Sequence, residues 1–188
     1  MPKTSESSPK SRTGLWDLSR LQVFYVDNYR PSHLIMRIIL FSMNIRQCEF
    51  FARPDDVLNL FKIQTPDILI TDHEMEPFDG LELTRLIRQG EVGTNRMLPI
   101  IMFTARTTRG LVEAARDSGA NSVIAKPASV HSVYTVLSRV ATERTAFVEL
   151  DRYFGPDRRR QRVEIDNVER RARNGHGRRP SYDVEPKI

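Results

Sequence analysis

A single cysteine, Cys48, leaves no pair from which an intrachain disulfide could form, and a reducing compartment is the expected setting. Long apolar runs are also missing. LPIIMF (98–103) is the longest, and it, like IILF (38–41) and LIM (34–36), falls far short of the roughly 18 residues a membrane-spanning helix requires. The opening MPKTSESSPKSRTG has no apolar centre and does not read as a secretory signal, so the expected location is the cytoplasm. No glycine-rich loop follows the first strand-like run. Asp-Asn-Tyr-Arg-Pro (27–31) stands there instead, which argues against a phosphate-cradling nucleotide fold. The four histidines, His33, His73, His131 and His176, are scattered outside any metal or nucleophile motif. His73 reads as an exposed loop residue.

What is present is unevenly distributed. Residues 21–150 carry 14 basic and 15 acidic side chains, whereas 151–188 carry 11 basic and seven acidic, ten of the basic ones arginine. A near-neutral domain with basic appendages is the implied organisation. Residues 1–13 are rich in Ser, Lys, Pro and Thr without an apolar anchor, and the segment 1–16 is expected to be disordered. From about residue 17 to 144, strand-length runs alternate with helical patterns. The runs are VFYV (23–26), CEFFA (48–52), DILIT (67–71), LPIIMF (98–103) and SVIA (122–125). Several are apolar throughout, as in strands buried on both faces. Between them, Leu83, Leu86 and Ile87, then Leu111, Ala114 and Ala115, fall at i, i+3, i+4. Val130, Val133, Leu137 and Val140 form a further stripe. Pro31-Ser32 and Pro54-Asp55-Asp56 read as helix starts. Five strand–helix units predict an α/β fold, a doubly wound five-stranded parallel sheet with helices on both faces.

In such a sheet the chemistry belongs at the carboxyl ends of the strands. The runs there end in Asp27-Asn28, Asp72, Thr104-Ala105 and Lys126-Pro127. Taken singly, each reads as a turn former or a cap. Together, two acids, a hydroxyl and a lysine on one rim suit phosphoryl transfer to a carboxylate. Asp72 is the candidate nucleophile. A hard divalent cation is needed where carboxylates meet phosphoryl oxygens, and Mg²⁺ is the natural choice. Asp27 and Asp72 can ligate through carboxylates, and a backbone carbonyl just beyond Asp72 can complete the set. Lys126 and the Thr104 hydroxyl would contact the phosphoryl oxygens.

PDILITDHEMEPFDGLELTRLIR (66–88) resembles the phosphoacceptor region of response-regulator receiver domains. IIMFTA (100–105), VIAKPAS (123–129) and DLSRLQVFYVDN (17–28) are similar to that family's other three motifs, in order. The resemblance spans 17–142. It implies a flavodoxin-like strand order of 2-1-3-4-5 and a receiver domain over 17–144. It also implies a phosphoacceptor at Asp72, a switch hydroxyl at Thr104, a phosphate-contacting Lys126 and a cis peptide between Lys126 and Pro127. The implied metal ligands are Asp27, Asn28, Asp72 and the backbone carbonyl of Glu74. Three departures stand out: Asn28 replaces the second acid of the usual pair, the loop proline is displaced to Pro77, and Val123 stands where an aromatic switch residue is common. A haloacid-dehalogenase-like hydrolase would need a second aspartate two places after Asp72, where Glu74 stands.

The remainder, 145–188, reads as a basic arginine-rich tail, largely disordered or docked on the receiver. Asp157-Arg158-Arg159 and Glu169-Arg170-Arg171 suggest a degenerate repeat. A solvated charged segment is the plain reading of this tail. An arm for nucleic acid, a cyclic dinucleotide or an acidic protein surface is the sharper one, since arginine favours bidentate phosphate recognition. The function expected is a two-component response regulator rather than an enzyme. It would be phosphorylated by a histidine kinase or phosphotransfer protein and would signal to a downstream protein by contact. The alternative is a non-phosphorylated pseudo-receiver scaffold acting through the tail.

Overall fold

The computed structural model describes residues 16–93, 95–143, 145–150 and 153–157. The N-terminal segment expected to be disordered lies outside the described residues except for Trp16, and so does the tail from 158 onward.

Five strands, β1 (Gln22–Val26), β2 (Gln47–Phe51), β3 (Ile68–Thr71), β4 (Ile100–Thr104) and β5 (Ser122–Ala125), pair in parallel in the order β2-β1-β3-β4-β5. The helices between and after them are α1 (Arg30–Ser42), α2 (Pro54–Leu60), α3 (Gly80–Gln89), α4 (Arg109–Ser118) and α5 (Val130–Thr142). This is the doubly wound sheet expected from the alternation of runs. Successive strand residues point to opposite faces, and both faces are apolar because both are covered. Val23, Tyr25, Ile101 and Phe103 face Met36 and Leu40 of α1 and Val133 and Leu137 of α5. Phe24, Val26, Leu69 and Ile100 face Val57 of α2 and Leu83 and Ile87 of α3. Met102 packs with Leu111 and Ala115 of α4.

Local chemistry fixes where the helices begin and end. Pro31 and Pro54 occupy first-turn positions, where the missing N–H costs nothing. Asp79, Thr108 and Ser129 cap α3, α4 and α5 by accepting backbone amides. Gly90 and Gly119 end α3 and α4 in the left-handed region, with φ of 79° and 98°.

The chain does not leave the domain after α5. Two short strands, β6 (Phe147–Leu150) and β7 (Tyr153–Pro156), form an antiparallel hairpin within the segment read from sequence as tail. It packs against α3 and α4 at the amino-end side of the sheet. An isolated two-stranded hairpin is marginal in water, and the receiving surface supplies what it lacks. The buried Arg88 guanidinium donates to the Gly119 carbonyl at 3.0 Å, the Arg96 carbonyl at 2.8 Å and Asn121 Oδ1 at 3.0 Å. The Phe147 ring lies over that guanidinium at 5.1 Å. Arg96 stacks on Phe154 at 3.9 Å and pairs with Glu149 at 3.3 Å.

Candidate functional site

The register brings the strand ends level. Val26 pairs with Thr71 and Thr104 with Ala125, so Asp27 and Asp72 emerge side by side, and Lys126 leaves β5 just beyond Thr104. Asp27 is fully buried and Asp72 nearly so. Two such carboxylates need a compensating charge, and the Lys126 ammonium provides it. Its Nζ lies 2.6 Å from Asp27 Oδ2 and 3.1 Å from Asp72 Oδ1, with the Phe103 ring beneath it at 5.3 Å. The Lys126–Pro127 peptide is cis, as the resemblance implies, and Glu76–Pro77 is cis as well.

Burial pushes the Asp72 carboxyl above its ordinary value. Lys126 pulls it back, the Asp27 charge adds to the rise, and the net direction is upward. The Asp72 backbone is fixed from three sides. Its N–H donates to Val26 at 2.8 Å, and its carbonyl accepts from the Thr71 hydroxyl at 3.1 Å. Gly80, at the start of α3, approaches so closely that a Cβ there would lie 2.0 Å from the Asp72 carbonyl oxygen. The Asp79-Gly80 pair is thereby explained: aspartate caps the helix, and glycine lets it approach.

The other expected residues take different stations. Thr104 is buried. Its carbonyl accepts the Lys126 N–H at 2.8 Å and its hydroxyl accepts the Arg106 N–H at 3.2 Å. Asn28 is exposed on the rim beside Asp27. The Glu74 side chain turns outward to Arg106, with Oε1 3.0 Å from Nη1. Val123 is half-buried against the cluster of Met102 and Leu111. Asp27, Asp72 and Lys126 are therefore in direct contact, with Thr104 joined to them through the backbone of Lys126. His73 is a correction: its side chain is only 20% exposed. The loop folds back so that the Gly80 N–H reaches the His73 carbonyl at 3.0 Å.

Two residues at the site were not anticipated. The Tyr25 hydroxyl donates to Asp27 Oδ2 at 2.6 Å, and burial with the Asp27 charge beside it holds that hydroxyl protonated. His33 Nε2 lies 2.7 Å from the Asp27 carbonyl, which can only accept, so the nitrogen carries the proton. A signal for Tyr25 existed: residues i and i+2 of a strand share a face, which sets a tyrosine beside the acid.

An all-oxygen set with two carboxylates and a nearby backbone carbonyl suits a hard cation that keeps waters. Among the described residues no three His, Cys, Asp or Glu side chains gather into a metal cluster.

Fold and rim together define a doubly wound α/β domain with paired acids and a lysine at the carboxyl ends of its strands. The chain belongs to the response regulator receiver domain family, whose sequence profile matches residues 23–138. It is 43% identical over 83 residues to a protein-glutamate methylesterase/protein-glutamine glutaminase of Trichodesmium erythraeum, a match covering 42% of this chain and 22% of that protein. It is 35% identical over 75 residues to the transcriptional regulatory protein PdtaR of Mycobacterium tuberculosis, covering 40% of this chain and 34% of the relative. The matched region is thus a minor part of both relatives. Among solved structures, the receiver domain of a sensor histidine kinase from Pseudomonas aeruginosa PAO1, with magnesium coordinated in its active site cleft, aligns with a TM-score of 0.59 at 25% identity. That match covers 65% of this chain and 98% of the other.

Proposed function

We propose that this chain is a phosphorylation-controlled signalling module that accepts a phosphoryl group on Asp72. The observation that carries the reading is the Lys126 ammonium held between the Asp27 and Asp72 carboxylates. An Asp72 oxygen attacks phosphorus in line, the bond from phosphorus to the donor's nitrogen or oxygen breaks, and an acyl phosphate remains. Lys126, already 3.1 Å from Asp72 Oδ1, moves onto the new phosphoryl oxygens. The Thr104 hydroxyl, which accepts the Arg106 amide, turns to donate to the phosphoryl group and releases that amide. Asp27, Asp72, the Asn28 side-chain oxygen and the Glu74 carbonyl would hold Mg²⁺, whose chemistry is to neutralise charge between the carboxylates and the incoming phosphoryl oxygens. Val123 offers no ring to swing, so the readout passes through the Thr104–Arg106 loop and α4.

The donor would be a histidine kinase or phosphotransfer protein. Leu34, Ile35, Ile38 and Phe41 form an exposed apolar stripe on α1, which starts three residues after Asp27. A stripe of that kind beside the rim suits a helical donor carrying its own apolar face. Incubation with acetyl phosphate and Mg²⁺ followed by intact mass is the test. A gain of one phosphoryl group, lost in Asp72→Asn, is the expected result. No gain would favour the pseudo-receiver, for which Asn28 in place of a second acid is the specific argument.

A further inference from the structure

Tyr25 interrupts an apolar strand. Its ring is fully buried, edge-on to His33 and Phe50 at 5.6 and 5.8 Å, and against Phe103 at 6.3 Å. A phenol buried in such surroundings must find a partner for its hydroxyl, and the partner is Asp27 Oδ2 at 2.6 Å. Lys126 donates to the same oxygen at 2.6 Å. The other oxygen, Oδ1, receives one backbone amide, from Tyr29 at 2.8 Å. The two oxygens of one carboxylate are therefore unequal: Oδ2 is engaged by two side-chain donors, while Oδ1 keeps acceptor capacity. His33, packed on the Tyr25 ring, donates to the Asp27 carbonyl and fixes the backbone from which the carboxylate hangs.

We infer that Tyr25 is a positioning residue of the cation site, pinning Asp27 Oδ2 so that Oδ1 is presented to a divalent cation. The inference rests on the reading of Asp27 as a cation ligand. It has particular force in this chain, because Asn28 stands beside Asp27 where an acid would add a third rim carboxylate to those of Asp27 and Asp72. With fewer charged ligands to share the cation, the orientation of each counts for more. Outer donors that orient a ligating carboxylate typically change metal affinity by about 10- to 100-fold when removed.

The experiment uses the full chain and its Tyr25→Phe and Asp27→Asn variants. Mg²⁺ binding is read by isothermal titration and Mn²⁺ binding by paramagnetic resonance of the free ion, with melting of the cation-free proteins as the control for folding. Tyr25→Phe keeps the ring, and Lys126 remains on Asp27, so the fold should persist. Its dissociation constants for both ions should rise about 10-fold. With acetyl phosphate, the Mg²⁺ concentration for half-maximal labelling should rise in parallel, while the rate at saturating Mg²⁺ stays within about two-fold. That split separates positioning from a general structural loss. Asp27→Asn should abolish binding. If it does, and Tyr25→Phe binds as tightly as the parent or tighter, the inference fails and the site reading stands. If the parent does not bind Mg²⁺, or Asp27→Asn binds it equally well, both fail.

Discussion

Asp72 is held in a conformation that is electrostatically uncomfortable without a cation. Burial and the neighbouring Asp27 raise its carboxyl, and Lys126 offsets this only in part. For an acid whose folded value lies above its unfolded one, the stabilising contribution is complete below the ordinary aspartate range. It is lost as pH climbs through the raised value. Asp72→Asn should therefore raise the melting temperature of the cation-free domain at pH 7, by roughly 2 °C. The advantage should vanish when the parent is brought below the ordinary aspartate range, where Asp72 is protonated. Scanning calorimetry of both proteins across pH checks the sign. At this scale the sequence was informative about identity and poor about partnership. Asp27, Asp72, Thr104 and Lys126 announced themselves by standing at strand ends. Tyr25 and His33 did not, because a tyrosine in an apolar run and a histidine one turn into a helix become meaningful only when their atoms meet Asp27.

Among the elements, the five strands and five helices were legible because strand-length apolar runs alternate with amphipathic stretches, and because proline and aspartate mark helix starts. The hairpin of β6 and β7 was not. Its strands are four residues each, and YFGP carries no alternation. What stabilises it lies elsewhere in the chain, on Arg88 and Arg96. Arg88 itself reads as an ordinary surface charge near the end of a helix. In the fold it is 2% exposed, and burial lowers its guanidinium to about 9, leaving it charged at neutral pH. Removing residues 144–188 should expose this guanidinium, taking Phe147 from it and Phe154 from Arg96. A loss of about 2–4 kcal/mol follows if the two phenylalanines, each half-buried, contribute somewhat less than fully buried side chains do. Urea unfolding of the shortened and full chains measures it. An unchanged midpoint would mean that the hairpin is an ornament rather than part of the domain.

For the molecule as a whole, the exposed stripe of α1 and the rim of Asp72 should act together on a protein donor and separately on a small one. Leu34→Asp combined with Ile38→Asp should slow transfer from a phosphorylated histidine protein by about 10-fold or more, the loss of one or two apolar anchors. Labelling by acetyl phosphate, which needs no docking face, should be unaffected. Parallel time courses with the two donors give the comparison. Equal slowing of both would place the effect in the fold.

The hairpin also decides which way the domain faces its surroundings. Because it rests on Gly119 and Arg88, Asp157 emerges at the amino ends of the strands, whereas Asp72 stands at the carboxyl ends. A five-residue strand at about 3.3 Å per residue puts roughly 15 Å of sheet between the two levels. A fluorescent reporter or an affinity handle joined directly to Asp157, in a chain shortened to that residue, therefore starts from the rear of the molecule. A copy tethered to a sensor chip by that end would present the Asp72 rim outward, open to a protein arriving from solution.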